Sequence, residues 1–129
     1  MSSNITIIGN LTRDPEVKFL PSGQAQTRLG IAVNKRWMNK QTQEWEERTS
    51  FFDVSIYGPL AENSAESLAK GMRVIVTGAL EQRSWDDKDG NKRSAVEIKA
   101  DAIGPDLSFS VATLREGSGR KKPSGTDAF

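Results

Sequence analysis

Cysteine and histidine are both missing from this chain of 129 residues. Their absence excludes disulfide frameworks, Cys/His zinc sites, thiol nucleophiles and histidine acid–base chemistry together. An excess of one charge is also lacking. Eighteen basic residues stand against seventeen acidic ones, a net charge of +1, so any attraction for a polyanion has to come from clustering rather than from total charge. No apolar run approaches the roughly 20 residues of a membrane-spanning helix. The opening MSSNITIIGN has no positively charged leader region, and a cytoplasmic location is the expectation. Aromatic residues are few: three tryptophans, one tyrosine and five phenylalanines.

Those few rings are concentrated. The stretch from Lys35 to Tyr57 holds Trp37, Trp45, Phe51, Phe52 and Tyr57, interleaved with cations and acids. Side chains alternate across a strand, so Phe52, Val54 and Ile56 read as a core face, and Phe51, Asp53, Ser55 and Tyr57 as an outward one. Rings set among polar groups on an outward face suit the stacking of flat ligands.

In chain order, Ile5, Ile7, Ile8 and Leu11 predict an opening strand that stops near Gly9-Asn10. A short extended piece, Val17 to Phe19, ends at the Pro21-Ser22-Gly23 turn. Leu29, Ile31 and Val33 alternate with Arg28, Gly30 and Ala32 in a second long strand, where Gly30 marks an expected bulge or bend. A polar loop, Asn39 to Gln43, leads to a third strand from Trp45. Gly58-Pro59 stops it and starts a helix of about three turns, with Gly71 expected just past its end. Val74, Val76 and Leu80 give a fourth strand extending to Trp85. The Asp89-Gly90 turn and the alternation of Val96, Ile98 and Ala100 give a fifth. Leu107, Phe109, Val111 and Leu114 predict an additional strand. The domain limits expected are 1–105 for the main domain, 106–115 for that strand and 116–129 for a flexible tail.

Five strands with one helix between the third and fourth is the element order of an all-β OB-fold, a five-stranded Greek-key barrel that binds oligonucleotides across its middle strands and loops. A β-sandwich has the strand count but seldom a lone helix midway.

The candidate nucleic-acid-binding set is Trp37, Phe51, Tyr57 and Trp85, with Lys35, Arg36, Lys40, Arg48, Arg83, Lys88, Lys92 and Arg93 close in sequence. Bases offer a π-face and phosphates a charge, so rings beside cations hold single strands. A large aromatic taken singly is more often core. Alternation argues against that for Phe51 and Tyr57, as does the position of Trp85 beside a hairpin turn. Trp37 shares the parity of Leu29, Ile31 and Val33, which leaves its facing open. Trp45 sits among Glu44, Glu46 and Glu47 and ranks lowest, because carboxylates repel phosphate. Asp86 to Asn91 has a faint likeness to a calcium loop, but the acid at the twelfth place, Glu97, falls in a strand. Arg120-Lys121-Lys122 reads as a solvated charge run. No catalytic residue, metal ligand or cofactor motif is found, and no enzyme is expected.

Residues 4 to 104 as a whole resemble a known family. ITIIGNLTRDPEVKFLPSGQA, Trp37, the Lys-Gln-Thr-Gln loop, YGPLAENSAESLAKGMRVIVTGAL and RSWDDKDGNKR are similar, in order, to the bacterial single-stranded DNA-binding proteins and their phage-encoded relatives. The resemblance implies an OB-fold, a homotetramer that wraps DNA, no catalysis and a nucleoid-associated role in replication, recombination and repair. It places the stacking rings at Trp37, at Phe51 where tryptophan is common, at Tyr57 where phenylalanine is common, and at Trp85. It also implies that the strand from Leu107 to Leu114 clamps neighbouring subunits. Family members commonly end in an acidic tip that recruits repair and replication proteins, whereas Asp127-Ala128-Phe129 is a poor version of it. The alternative function is an OB-fold module for protein assembly in a replication or phage complex.

Overall fold

Strand alternation governs nearly the whole chain in the computed structural model, which describes residues 3–118. The elements are β1 (Ser3–Leu11), β2 (Val17–Phe19), β3 (Ala25–Met38), β4 (Trp45–Tyr57), α1 (Pro59–Ser67), β5 (Arg73–Asp86) and β6 (Lys92–Pro105). The sheet order is β1-β5-β6-β4-β3-β2, and β1 also pairs with β3. That last pairing closes five strands into a barrel, the OB-fold expected. The helix falls between the fourth and fifth strands because the short piece at 17–19 forms a genuine ladder with Thr27, Gln26 and Ala25.

Leu29, Ile31, Val54, Ile56, Val74, Val76 and Ile98, each 0–1% exposed, fill the barrel. Most are β-branched residues at every second position, the pattern that half-buried strands favour. The helix closes one end with Ala61, Ser64 and Leu68 turned inward. The Thr27 hydroxyl donates to the Ala61 carbonyl at 2.9 Å in the core and pins α1 to β3.

Four local expectations change. The helix is only 9 residues long and Leu68 is already extended. Burying Leu68 beneath the barrel ends the helix before Gly71, whose N–H instead donates to the Leu11 carbonyl at 2.8 Å. The first strand runs just past the expected stop near Gly9-Asn10, through Leu11. Gly30 carries no bulge, since β3 and β4 pair in one unbroken register from Gln26↔Tyr57 to Met38↔Trp45. The irregularity lies at Thr77/Gly78, between β5 and β6.

The additional strand expected at 106–115 is not formed within the single chain: residues 106–118 have no strand ladder. Its apolar side chains Phe109, Val111 and Leu114 stand almost fully exposed, because this part of the chain lies along α1 rather than beside a strand. Asn63 holds it there, donating from Nδ2 to the Ser118 carbonyl and accepting from the Ser118 N–H. Arg115 pairs with Glu66. From residue 119 the expected tail, with Arg120-Lys121-Lys122, lies outside the described residues. None of the helices described is long and apolar enough to cross a membrane.

Candidate nucleic-acid interface

Two hairpins rise from the same end of the barrel. β4 and β6 run parallel and pair only at Val54↔Ile98 and Ser55↔Lys99. Beyond that point the β3–β4 ribbon continues to Met38↔Trp45 and the β5–β6 ribbon to Asp86↔Lys92, with no pairing between them. They form two fingers.

Register assigns the faces. Residues paired across neighbouring strands share a face, as do residues two apart on one strand. The outer face therefore carries Gln26, Arg28, Gly30, Ala32, Asn34, Arg36 and Met38 of β3 with Tyr57, Ser55, Asp53, Phe51, Thr49, Glu47 and Trp45 of β4. It continues through Lys99, Glu97, Ala95 and Arg93 of β6 to Ala79, Glu81, Arg83 and Trp85 of β5.

Phe51 is 74% exposed and Trp85 43%. Tyr57 is half-buried because Gln26 Nε2 donates to its hydroxyl at 3.2 Å. Ser55, expected outward, is buried under its neighbours on both sides. Arg83 lies over the Trp85 ring, 5.1 Å from its centroid. Lys99 lies over Tyr57 at 5.5 Å. Tyr57 and Trp85 thus each have a cation beside them already, the pairing that holds a base and its phosphate together.

Lys99 was not among the candidate residues. Its outward parity was readable from the alternation with Ile98, but its position beside Tyr57 depends on the parallel β4–β6 contact, which no local pattern announces. Trp45 is the second surprise. It shares the face of Phe51, is 61% exposed, and has Arg36 at 5.2 Å from its centroid. Glu46 faces the other way, its Oε1 accepting from Asn39 Nδ2 at 3.0 Å, and Glu47 on the Trp45 face is paired with Arg36.

Trp37 resolves the other way. With no bulge in β3 it keeps core parity, opposite Phe51, on the face of the finger that continues from Leu29 and Ile31. Past the barrel that face opens to solvent, and Trp37 is 37% exposed, with Lys35↔Arg48 as an adjacent pair of cations. The candidate set therefore divides. Phe51, Tyr57, Trp85, Arg36, Arg83 and Arg93 share the outer platform, while Trp37, Lys35 and Arg48 occupy the reverse of the first finger. Lys40 and Lys88 stand in the fingertip turns, and Lys92 closes the second ribbon opposite Asp86.

The platform is not uniformly basic. Asp53 lies on it, and Glu81 pairs directly with Glu97. No group of acids among the described residues is arranged to hold a metal ion.

The second fingertip is built around Asp87. Its Oδ1 accepts the N–H groups of Asp89 and Asn91, both at 2.9 Å, and its Oδ2 accepts from Arg93 Nε at 2.8 Å. Arg93 first, then the Asn91 N–H, hold the carboxyl below its ordinary value of 3.8. A carboxyl lowered on folding supports the turn fully above pH 3.8, and the support is lost as pH falls through the lowered value. The amide resonances of Asp89 and Asn91 are expected to titrate together with a midpoint below 3.8. A midpoint at or above that value would mean that Arg93 is not engaged.

Comparison with known proteins agrees with the fold. Residues 2–106 match the single-strand binding protein family. A single-stranded DNA-binding protein of Corynebacterium glutamicum is 48% identical over 114 residues, covering 88% of this chain and 51% of the relative. One of Mycolicibacterium smegmatis is 44% identical over 117 residues, covering 90% of this chain and 71% of the relative. The chain thus spans about half the length of the Corynebacterium relative. The crystal structure of a small single-stranded DNA-binding protein from Streptomyces coelicolor superposes with a TM-score of 0.69 at 32% identity, over 84% of this chain and 97% of that one.

Proposed function

The chain belongs to the single-strand binding protein family, and from that premise we propose that it coats single-stranded DNA without strong sequence preference, protecting exposed strands in replication, recombination and repair. The observation that carries the mechanism is the outer face on which Phe51, Tyr57 and Trp85 all stand, with Lys99 over Tyr57 and Arg83 over Trp85. Bases stack on the rings and phosphates pair with Arg36, Arg83, Lys99 and the fingertip lysines. Trp37 with Lys35 and Arg48 offers a second surface on the reverse of the first finger, so a strand following the basic groups passes around the finger. The activity is binding, not catalysis.

Titration with oligo-dT tests this. Tryptophan fluorescence is expected to quench on binding, and log K to fall by about 0.7 per neutralised phosphate for each tenfold rise in salt. A chain showing neither quenching nor salt dependence sinks the proposal.

The working form is a homotetramer in the cytoplasm, associated with the nucleoid. In support of assembly, Ile8 pairs with Ile75 on the outside of the barrel, both about 40% exposed, and the exposed Phe109, Val111 and Leu114 need a cover that the single chain does not supply. A second copy offers it, with 106–115 adding as a strand to its neighbour. Recruitment of repair and replication proteins would rest on the last residues, which lie outside the described ones.

A further inference from the structure

In sequence Gly30 reads as a bulge or bend, yet the strand there is regular, and what the bare Cα provides is room. A Cβ on Gly30 would lie 2.4 Å from Thr12 Oγ1 and 2.5 Å from Arg13 Nη1. The connection from β1 to β2 therefore folds down onto the outer face of β3, and the Arg13 guanidinium rests where a side chain would otherwise stand. Gly30 pairs with Asp53, so this cation sits beside the acid that interrupts the platform.

Arg13 has company. Together with Arg28, Lys18, Asp14 and Glu16 it lines a depression of about 450 Å³. Arg28 is two residues from Gly30 on the same face, opposite Ser55, and Ser55 is opposite Lys99. Neighbouring strands are about 4.8 Å apart, which puts the backbones of Arg28 and Lys99 about 10 Å apart on either side of the Tyr57 strand. Lys18 pairs with Gln26, the residue that donates to Tyr57. Three cations stand here against two carboxylates. Asp14 accepts the Lys70 N–H at 2.7 Å, and among the described residues no carboxylate forms an ion pair with Arg13, Lys18 or Arg28.

We infer that Arg13 and Arg28, seated by Gly30, form a phosphate-binding shelf that carries single-stranded DNA off the aromatic platform, past Tyr57, across β3 and onto the β1–β2 connection. The inference rests on the single-strand-binding reading and adds residues and a direction to it. Free cations placed by packing neutralise phosphates without losing much side-chain freedom on binding. The shelf has no ring, so it holds backbone and not bases. Its ligand is the phosphodiester of the strand already stacked on the platform.

The test is oligo-dT titration at several salt concentrations with wild type, the double variant Arg13→Ala, Arg28→Ala, and Gly30→Ala. The double variant is expected to lower the salt slope by about 1.4, two phosphates at about 0.7 each, while quenching at saturation stays at the wild-type level. Gly30→Ala alters no charge, yet displaces Arg13, whose flexible end can move aside, and is expected to lower the slope by about 0.7. Melting temperatures near wild type establish that the variants are folded. A double variant with the wild-type slope overturns the shelf while leaving the parent reading intact. A Gly30→Ala protein with the wild-type slope overturns the seating of Arg13. A wild type that neither quenches nor responds to salt removes the parent reading and the shelf together.

Discussion

Replacing Phe51 and Trp85 together by alanine is expected to weaken binding to oligo-dT by about 2 to 6 kcal/mol, the sum of two stacking contacts of about 1 to 3 kcal/mol each. That is roughly a thirtyfold to twenty-thousandfold rise in Kd. The two rings stand on different fingers, one on β4 and one on β5, with no ladder between the fingers beyond Ser55↔Lys99, so their losses should add. The folded state should hardly notice. Phe51 is 74% exposed and opposes Ala32, and Trp85 leans on Arg83 rather than on the core. Titration by the salt-dependent shift of a labelled oligonucleotide, with a parallel melting curve, separates the outcomes. If the double variant loses as much stability as affinity, the rings are structural supports and the platform reading fails.

The contrast between Phe51 and Trp37 shows what a sequence of this kind discloses. Alternation within one strand gave the facing of Phe51 and Tyr57, because a slip of one residue would have put Val54 and Ile56 into water. The same rule gave Trp37 core parity, and the unbroken register keeps it there, on a finger that has outgrown the core. Length beyond the barrel is not a local property, since a strand looks alike whether or not another layer covers it. The places of Arg13 and Lys99 beside the platform were unreadable for a related reason. One reaches the platform through a loop and the other through a parallel contact between strands over forty residues apart in sequence, and neither contact leaves a periodic trace. Trp45 was discounted for its acidic neighbours, but adjacent residues on a strand face opposite ways, so of the three glutamates only Glu47, paired with Arg36, shares its face. The OB-fold itself was legible because five strands with one helix between the third and fourth leave few alternatives.

Gly9→Val is expected to be among the most destabilising substitutions in the chain. In sequence Gly9 looked like the end of the first strand, whereas in the fold it is where β1 crosses β3 to close the barrel, just before Asn10↔Ala32 and Leu11↔Ile31. A Cβ there would lie 2.4 Å from the Ala32 carbonyl oxygen and 2.8 Å from Ile31 Cγ2. The oxygen is backbone in a paired strand and cannot swing aside. Overpacking of this kind costs about 1 to 3 kcal/mol, and prising the seam apart forfeits ladder hydrogen bonds of about 1 kcal/mol each. A total of about 3 kcal/mol would lower the melting temperature by roughly 10 °C in a domain of this size. Gly104→Ala is the control, since no heavy atom lies within 4 Å of its Cβ position, and it should shift stability by no more than about 0.5 kcal/mol. Because β3 carries Arg28, Arg36 and Trp37 and borders the strand bearing Phe51 and Tyr57, opening the seam also frees one wall of the platform. DNA affinity should therefore fall with stability in Gly9→Val, the reverse of the separation expected for the ring variants. A Gly9→Val protein that melts like wild type would show that the barrel does not depend on this closure.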